Sequence, residues 1–234
     1  MVNESHGLED RATGLDRAVA DIAATRRSLL QGPLPQARGK AILDFSLAVG
    51  LVVLVIPVCV VVAILIKLTS HGPVIFRQER VGKDGKLFTI YKFRTMVDGA
   101  ESGLVSLLNG YGCTEAPLFK VPADPRITPL GRALRKLSID ELPQLCNVLK
   151  GDMSLVGPRP QSRAEVQFYD AYARQRLLVK PGLTGLWQVS GRSNLEWNEA
   201  VHLDIRYVHQ RSASLDTKIL LRTIRVVLSC VGAR

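Results

Sequence analysis

Several things are scarce in this chain of 234 residues. Its four cysteines, Cys59, Cys113, Cys146 and Cys230, include no pair with zinc-type or C-x-x-C spacing. That leaves no sequence case for a zinc module or a dithiol redox site, and reads as free thiols in a reducing compartment. The glycine-rich stretch at 180–192 matches neither a P-loop nor a dinucleotide fingerprint. No internal repeat is evident, and the polar, acidic N-terminus shows no secretory signal. Acidic charge is in deficit: 31 Lys and Arg against 21 Asp and Glu, a net +10. No aromatic-interleaved basic run accompanies that charge, so nucleic acid is not expected as a partner.

Apolar residues make up 47% of the chain and charged residues 22%, enough for one sizeable domain with an appendage. Residues 1–40 hold six Lys/Arg and five Asp/Glu, so +9 of the +10 falls on 41–234. That excess must face something anionic: nucleic acid, lipid headgroups or a phosphorylated substrate. Residues 1–39 read as a polar tail, with a short amphipathic helix or a disordered stretch, followed by a Gly/Pro-rich linker at 32–39.

The longest apolar run, residues 45–66, is 22 residues without a charge. As a straight helix it is about 33 Å long, sufficient to cross a bilayer core. Pro57 interrupts its hydrogen-bond ladder in the middle. Arg38 and Lys40 precede the run, and Lys67, Arg77 and Arg80 follow it. Basic residues on both flanks favour a helix over 40–68 that enters the bilayer, kinks at Ile56-Pro57 and returns, over one that spans. Asp44 suits an interfacial depth.

After this run, strands are expected at 74–76 and 87–91 around the turn at 82–85. In the extended stretch that follows at 92–96, Lys92 and Arg94 alternate, so they face the same way, either toward an anion or as a solvated edge. A short helix at 101–109 and a loop at 110–116 follow. Thr128 has the chemistry of an N-cap with Pro129 behind it, opening a helix that carries Arg132, Arg135 and Lys136. The next helix starts near 138 and runs to a Gly151 stop. Ser138 and Glu141 have capping-box spacing; alternatively Asp140 is the cap. In either case Asp140 and Glu141 lie at a helix start with basic residues before them. A strand at 153–156 leads to Gly157-Pro158-Arg159-Pro160, a stiff loop that could present Arg159 to a phosphate or form a structural corner. Helices are expected at about 163–178, 195–209 and 216–230, the last with a basic face beside an apolar one.

Four stretches carry a resemblance: GPVIFRQERVG at 72–82, YKFRTM at 91–96, LRKLSIDELPQLCNVLKGDMSLVGPRP at 134–160 and KPGLTGLWQVSGRS at 180–193. In order and spacing they resemble the bacterial sugar transferases, the monotopic phosphoglycosyl transferases that prime exopolysaccharide, capsule or O-antigen synthesis. The resemblance covers about 40–230. It implies an α/β fold, mostly helical with small strands: a re-entrant membrane helix on a compact catalytic domain at 69–234 with interfacial amphipathic helices. That domain would rest on the cytoplasmic face of the bacterial inner membrane. The family's longer members carry further N-terminal membrane helices, which are not expected from this sequence.

The resemblance also implies a chemistry. Asp140 attacks the sugar-bearing phosphate of a UDP-sugar, releases UMP, and passes the sugar phosphate from a covalent aspartyl intermediate to polyprenyl phosphate, here undecaprenyl phosphate. Glu141 holds a metal or handles a proton, with Asp140 and Glu141 as the ligands of Mg²⁺. Gly157, Pro158 and Arg159 grip phosphate, assisted by Arg135, Lys92 and Arg94. The closeness of the last block to exopolysaccharide-priming members suggests glucose or galactose. Homo-oligomer formation is left open. The rival reading is an inactive membrane-anchored scaffold of a polysaccharide assembly system.

Overall fold

A computed structural model describes residues 37–100, 124–191 and 195–229. The tail, most of the linker, the expected helix at 101–109, the loop at 110–116, Cys113 and Cys230 lie outside them.

Helix α1, Ala37–Thr69, is 33 residues long and carries Pro57 in its interior. Its apolar part has a mean hydropathy of 3.4, long and apolar enough to cross a membrane. One stripe of this helix packs on the rest of the protein. Ala48, Leu51, Val52 and Val55 join one core cluster, and Cys59, Val62, Ala63 and Ile66 join another. The spacing of three or four residues keeps them on one helical face. The remaining circumference is exposed and apolar, including Leu54 at 72% and Val53 at 66%. This exposed face and the family membership established below make the chain membrane-associated.

Both ends of α1 are stitched to the same domain. At its start Ser154 Oγ donates to Asp44 Oδ2 at 2.6 Å, and Lys40 Nζ pairs with Asp216 Oδ2 at 2.7 Å. At its end Arg94 Nη2 donates to the Ser70 carbonyl at 2.9 Å and to its hydroxyl at 2.7 Å. A guanidinium from a later segment of the chain thus satisfies a terminal carbonyl that the helix leaves unpaired.

Strands β1 (Ile75–Val81) and β2 (Leu87–Phe93) form an antiparallel hairpin with Ile75 opposite Phe93. They extend beyond the expected 74–76 and 87–91 because the pairing continues to both ends. Helix α2, Pro129–Lys136, starts as the sequence indicates: Thr128 Oγ1 accepts from the Gly131 N–H at 2.9 Å. A 3-10 helix, Ile139–Gln144, then precedes α3, Leu145–Lys150, which stops at Gly151 in the left-handed region. The expected capping box does not form. Ser138 is itself left-handed, at φ 56°, and makes no side-chain cap bond. Glu141 is engaged elsewhere.

Strand β3 (Ser154–Val156) pairs in parallel with β4 (Gly182–Thr184). The helix expected at 163–178 is broken. Helix α4, Arg163–Gln167, opens on a capping box between Ser162 and Glu165; a separate 3-10 helix covers Ala173–Leu178. Asp170 causes the break, because its Oδ1 accepts from the Ala173 N–H at 2.7 Å and starts a new turn. Helices α5 (Trp197–Gln210) and α6 (Ala213–Ser229) close the fold.

A buried ion pair ties these last elements together. Arg176 Nη2 lies 2.7 Å from Asp204 Oδ2, with side-chain exposures of 3% and 0%. Arg176 also donates to the Tyr169 hydroxyl and stacks near the rings of Tyr169 and Trp197. Removing one partner strands the other charge without solvent, which costs about 3–5 kcal/mol. Arg176→Gln is therefore expected to lower the thermal midpoint by on the order of 10 °C. Arg176→Lys recovers only part of that loss, because a point charge replaces a fork. A melt of the two purified variants checks both.

Candidate active site

The site is built where the end of β2, the 3-10 helix and the loop after β3 meet. Glu141 is its anchor. Its Oε1 accepts from Lys92 Nζ at 2.9 Å and from Arg159 Nη2 at 2.9 Å. Lys92 comes from β2 and Arg159 from the 157–160 loop, so one carboxylate oxygen joins three segments. Burial alone would push the Glu141 carboxyl up, but the charges and hydrogen bonds of Arg159 and Lys92 overcome it and hold it well below the usual range.

Asp140 behaves in the opposite way. It is 8% exposed and makes no side-chain hydrogen bond or ion pair among the described residues. Burial, then the charge of Glu141, push its carboxyl up to about 6, against the pull of Lys92, Arg135 and Arg159. A full helix N-terminus with arginines beside it would depress the value instead. The 3-10 helix is six residues long and offers only a short stack of aligned peptides. The cations nearest to Asp140 are bound to other groups, so desolvation wins.

The loop that aims Arg159 is held by backbone crossing. The Gly157 N–H donates to the Thr184 carbonyl at 2.9 Å, and the Gly182 N–H donates to the Pro158 carbonyl at 2.9 Å. A Cβ on Gly157 would lie 2.6 Å from the Lys180 carbonyl, and one on Gly182 would lie 2.0 Å from the Gly157 nitrogen. The close approach that Gly157 permits is therefore between two chain segments rather than to a ligand. Arg176 Nη2 adds a bond to the Arg159 carbonyl at 3.2 Å from below.

Of the expected residues, the structure brings together Asp140, Glu141, Lys92, Arg159 and Arg135. Arg135 donates Nε to Thr95 Oγ1 at 2.9 Å and acts on Asp140 through its charge. Pro158 supplies a backbone acceptor. Arg94 is not brought to the site: it leaves β2 toward Ser70 at the end of α1 and is 7% exposed. Lys92 and Arg94 thus serve different ends, because β2 stops at Phe93 and the alternation stops with it.

Sequence reasoning missed Arg80. It lies on β1, pairs with Glu165 at 3.2 Å, and feels the charges of both Arg159 and Glu141. Its signal was the Ser162-x-x-Glu165 spacing, which places a carboxylate beside this strand. Among the described residues, Asp140 and the second oxygen of Glu141 have no cation within ion-pair distance. Among the described residues no group of three or more His, Cys, Asp or Glu could hold a metal alone. Two carboxylates suit Mg²⁺ when substrate phosphates and waters complete its shell.

The fold and this cluster define a membrane-associated protein with a buried pair of adjacent carboxylates set among cations. The chain belongs to the bacterial sugar transferase family, whose sequence model matches residues 35–230. It is 50% identical over 164 residues to the galactosyl transferase CpsE of Streptococcus agalactiae, covering 70% of this chain and 36% of that protein. It is 44% identical over 193 residues to the undecaprenyl-phosphate galactose phosphotransferase of Salmonella typhimurium, covering 81% of this chain and 40% of that one. The exopolysaccharide production protein ExoY of Sinorhizobium fredii is 35% identical over 223 residues, 90% of this chain and 99% of that protein. The chain thus spans less than half the length of the first two relatives and nearly all of the third.

The raised Asp140 carboxyl has a consequence for stability. Its favourable, protonated state is fully present below about pH 4 and is lost as pH rises through about 6, so ionised Asp140 costs the fold about 2–3 kcal/mol at neutral pH. Asp140→Asn is expected to raise the thermal midpoint by several degrees at pH 7.5 and to lose that advantage below pH 4. Paired melts across this range test it.

Proposed function

We propose that this protein transfers a sugar-1-phosphate from a UDP-sugar to polyprenyl phosphate through Asp140. The observation that carries this reading is a buried carboxylate with no bound partner among the described residues, beside a second carboxylate clamped by two cations, on a domain fastened to an apolar helix. An inactive scaffold would have no need to keep an unpaired Asp140 buried. The names of the Streptococcus, Salmonella and Aeromonas hydrophila relatives, which mention galactose or N-acetylgalactosamine transfer, support the donor class.

An ionised oxygen of Asp140 attacks the phosphorus that bears the sugar. The bond from that phosphorus to the UMP oxygen breaks and UMP leaves, with the sugar phosphate held as an acyl phosphate. An oxygen of polyprenyl phosphate then attacks the same phosphorus. The bond to Asp140 breaks, the carboxylate is restored, and polyprenyl-diphosphate-sugar departs. One phosphoanhydride replaces another, so little net driving force is required. Two steps let a soluble donor and a lipid acceptor use one site in turn.

Desolvation makes Asp140 a better nucleophile than a solvated carboxylate, at the cost of ionising only above about pH 6. Arg159 and Lys92, each with further N–H donors beyond the one given to Glu141, stabilise the phosphate oxygens. Asp140 and Glu141 would hold Mg²⁺, which supplies positive charge to the diphosphate. Glu141 keeps Lys92 and Arg159 in place.

The contacts from Asp44 to Ser70 support a re-entrant helix. Both ends meet one domain, whereas a spanning helix places its ends on opposite sides of the bilayer. That reading puts the domain on the cytoplasmic face of the inner membrane, where nucleotide sugars are supplied.

With UDP-galactose labelled in the sugar phosphate, the wild type is expected to form a covalent adduct and release UMP. Asp140→Asn forms none, and a persisting adduct in that variant rules out Asp140 as the nucleophile. Adduct formation falls as pH drops below about 6, since the nucleophile is then protonated. A panel of UDP-sugars with undecaprenyl phosphate identifies the donor. EDTA abolishes turnover and Mg²⁺ restores it; undiminished activity in chelator defeats the metal role.

A further inference from the structure

We propose that the groove between α5, α6 and residues 186–190 seats the anionic headgroup of a bilayer phospholipid, with an acyl chain along the outer face of α6. The groove encloses about 250 Å³. Arg206, Lys218 and Arg222 stand around it, Leu203, Leu215 and Ile219 form its apolar wall, and no carboxylate lines it among the described residues. Arg206 gives its Nε to Gln210 on its own helix at 3.1 Å. Lys218 and Arg222 have no hydrogen bond or ion pair among the described residues. The nearby carboxylate, Asp216, is already engaged by Lys40 and Tyr207. Three cations over a hydrocarbon wall, with no counter-ion among the described lining residues, match an anion that carries hydrocarbon.

The position of α6 selects the source of that anion. The Lys40–Asp216 pair pins the first turn of α6 to the first turns of α1, where the apolar run begins. The groove therefore opens where lipid headgroups meet the protein. Beside the cations, Leu221, Ile224 and Leu228 follow i, i+3, i+7 spacing and are 58%, 58% and 77% exposed. That stripe is unfavourable in water and suited to an acyl chain. A zwitterionic headgroup brings its own cation into the groove and is disfavoured. The proposal rests on membrane insertion of α1 and is independent of the transfer reaction.

The test is photolabelling of the full chain in phosphatidylcholine vesicles. A phosphatidylglycerol bearing a diazirine on its acyl chain is expected to label peptides from residues 213–229 several-fold more than the matching phosphatidylcholine probe. Lys218→Gln with Arg222→Gln brings the two probes to parity; Lys218→Arg with Arg222→Lys keeps the preference. Equal labelling of the wild type by both probes, or a preference that survives charge removal, overturns the seat. Loss of the preference on adding inorganic phosphate at constant ionic strength overturns the lipid assignment, since the groove then takes a soluble anion.

Discussion

The site depends on one carboxylate oxygen. Glu141 Oε1 holds Lys92 and Arg159 at 2.9 Å each, and neither cation is close to Glu141 in sequence. A buried carboxylate with two cationic donors is stable as an anion; without it, two cations would face each other in a poorly solvated pocket. Among the described residues the same arrangement leaves Asp140 without a hydrogen-bond or ion-pair partner. Two adjacent residues of one chemical type thus acquire opposite protonation behaviour from their contacts alone.

The end of β2 connects this pair to α1. Within four residues Lys92 reaches Glu141, Arg94 reaches Ser70 at the end of α1, and Thr95 receives Arg135. At the other end of α1, Asp44 and Lys40 engage Ser154 and Asp216, which belong to β3 and α6. The helix is part of the domain's framework along its length, with one face in the core and the rest apolar and exposed.

Behind the pocket lies a second layer. The Arg176–Asp204 pair supports the backbone of Arg159, and the crossing of Gly157 with Gly182 sets the loop's path. These glycines explain why the GPRP and KPGLTG stretches occur together: each is the surface against which the other folds. The sequence displayed both stretches but no sign that they touch, since 25 residues separate Gly157 from Gly182.

Much was legible from residues alone. The apolar run, the hairpin, the Thr128 cap, the Gly151 stop and the final two helices follow from local pattern and propensity, which need no distant partner. The Asp140-Glu141 pair and Arg159 could be named from adjacency and loop chemistry. What the sequence could not determine was pairing across the fold. Arg94 turned to the helix end, Arg80 joined the site unannounced, and Glu141 took two cations rather than capping a helix. The direction of the Asp140 shift belongs to the same class, because desolvation is a property of packed volume. Local order was written in the one-dimensional pattern, whereas the charge state of the site arose only when segments from 92, 140 and 159 were brought together out of water.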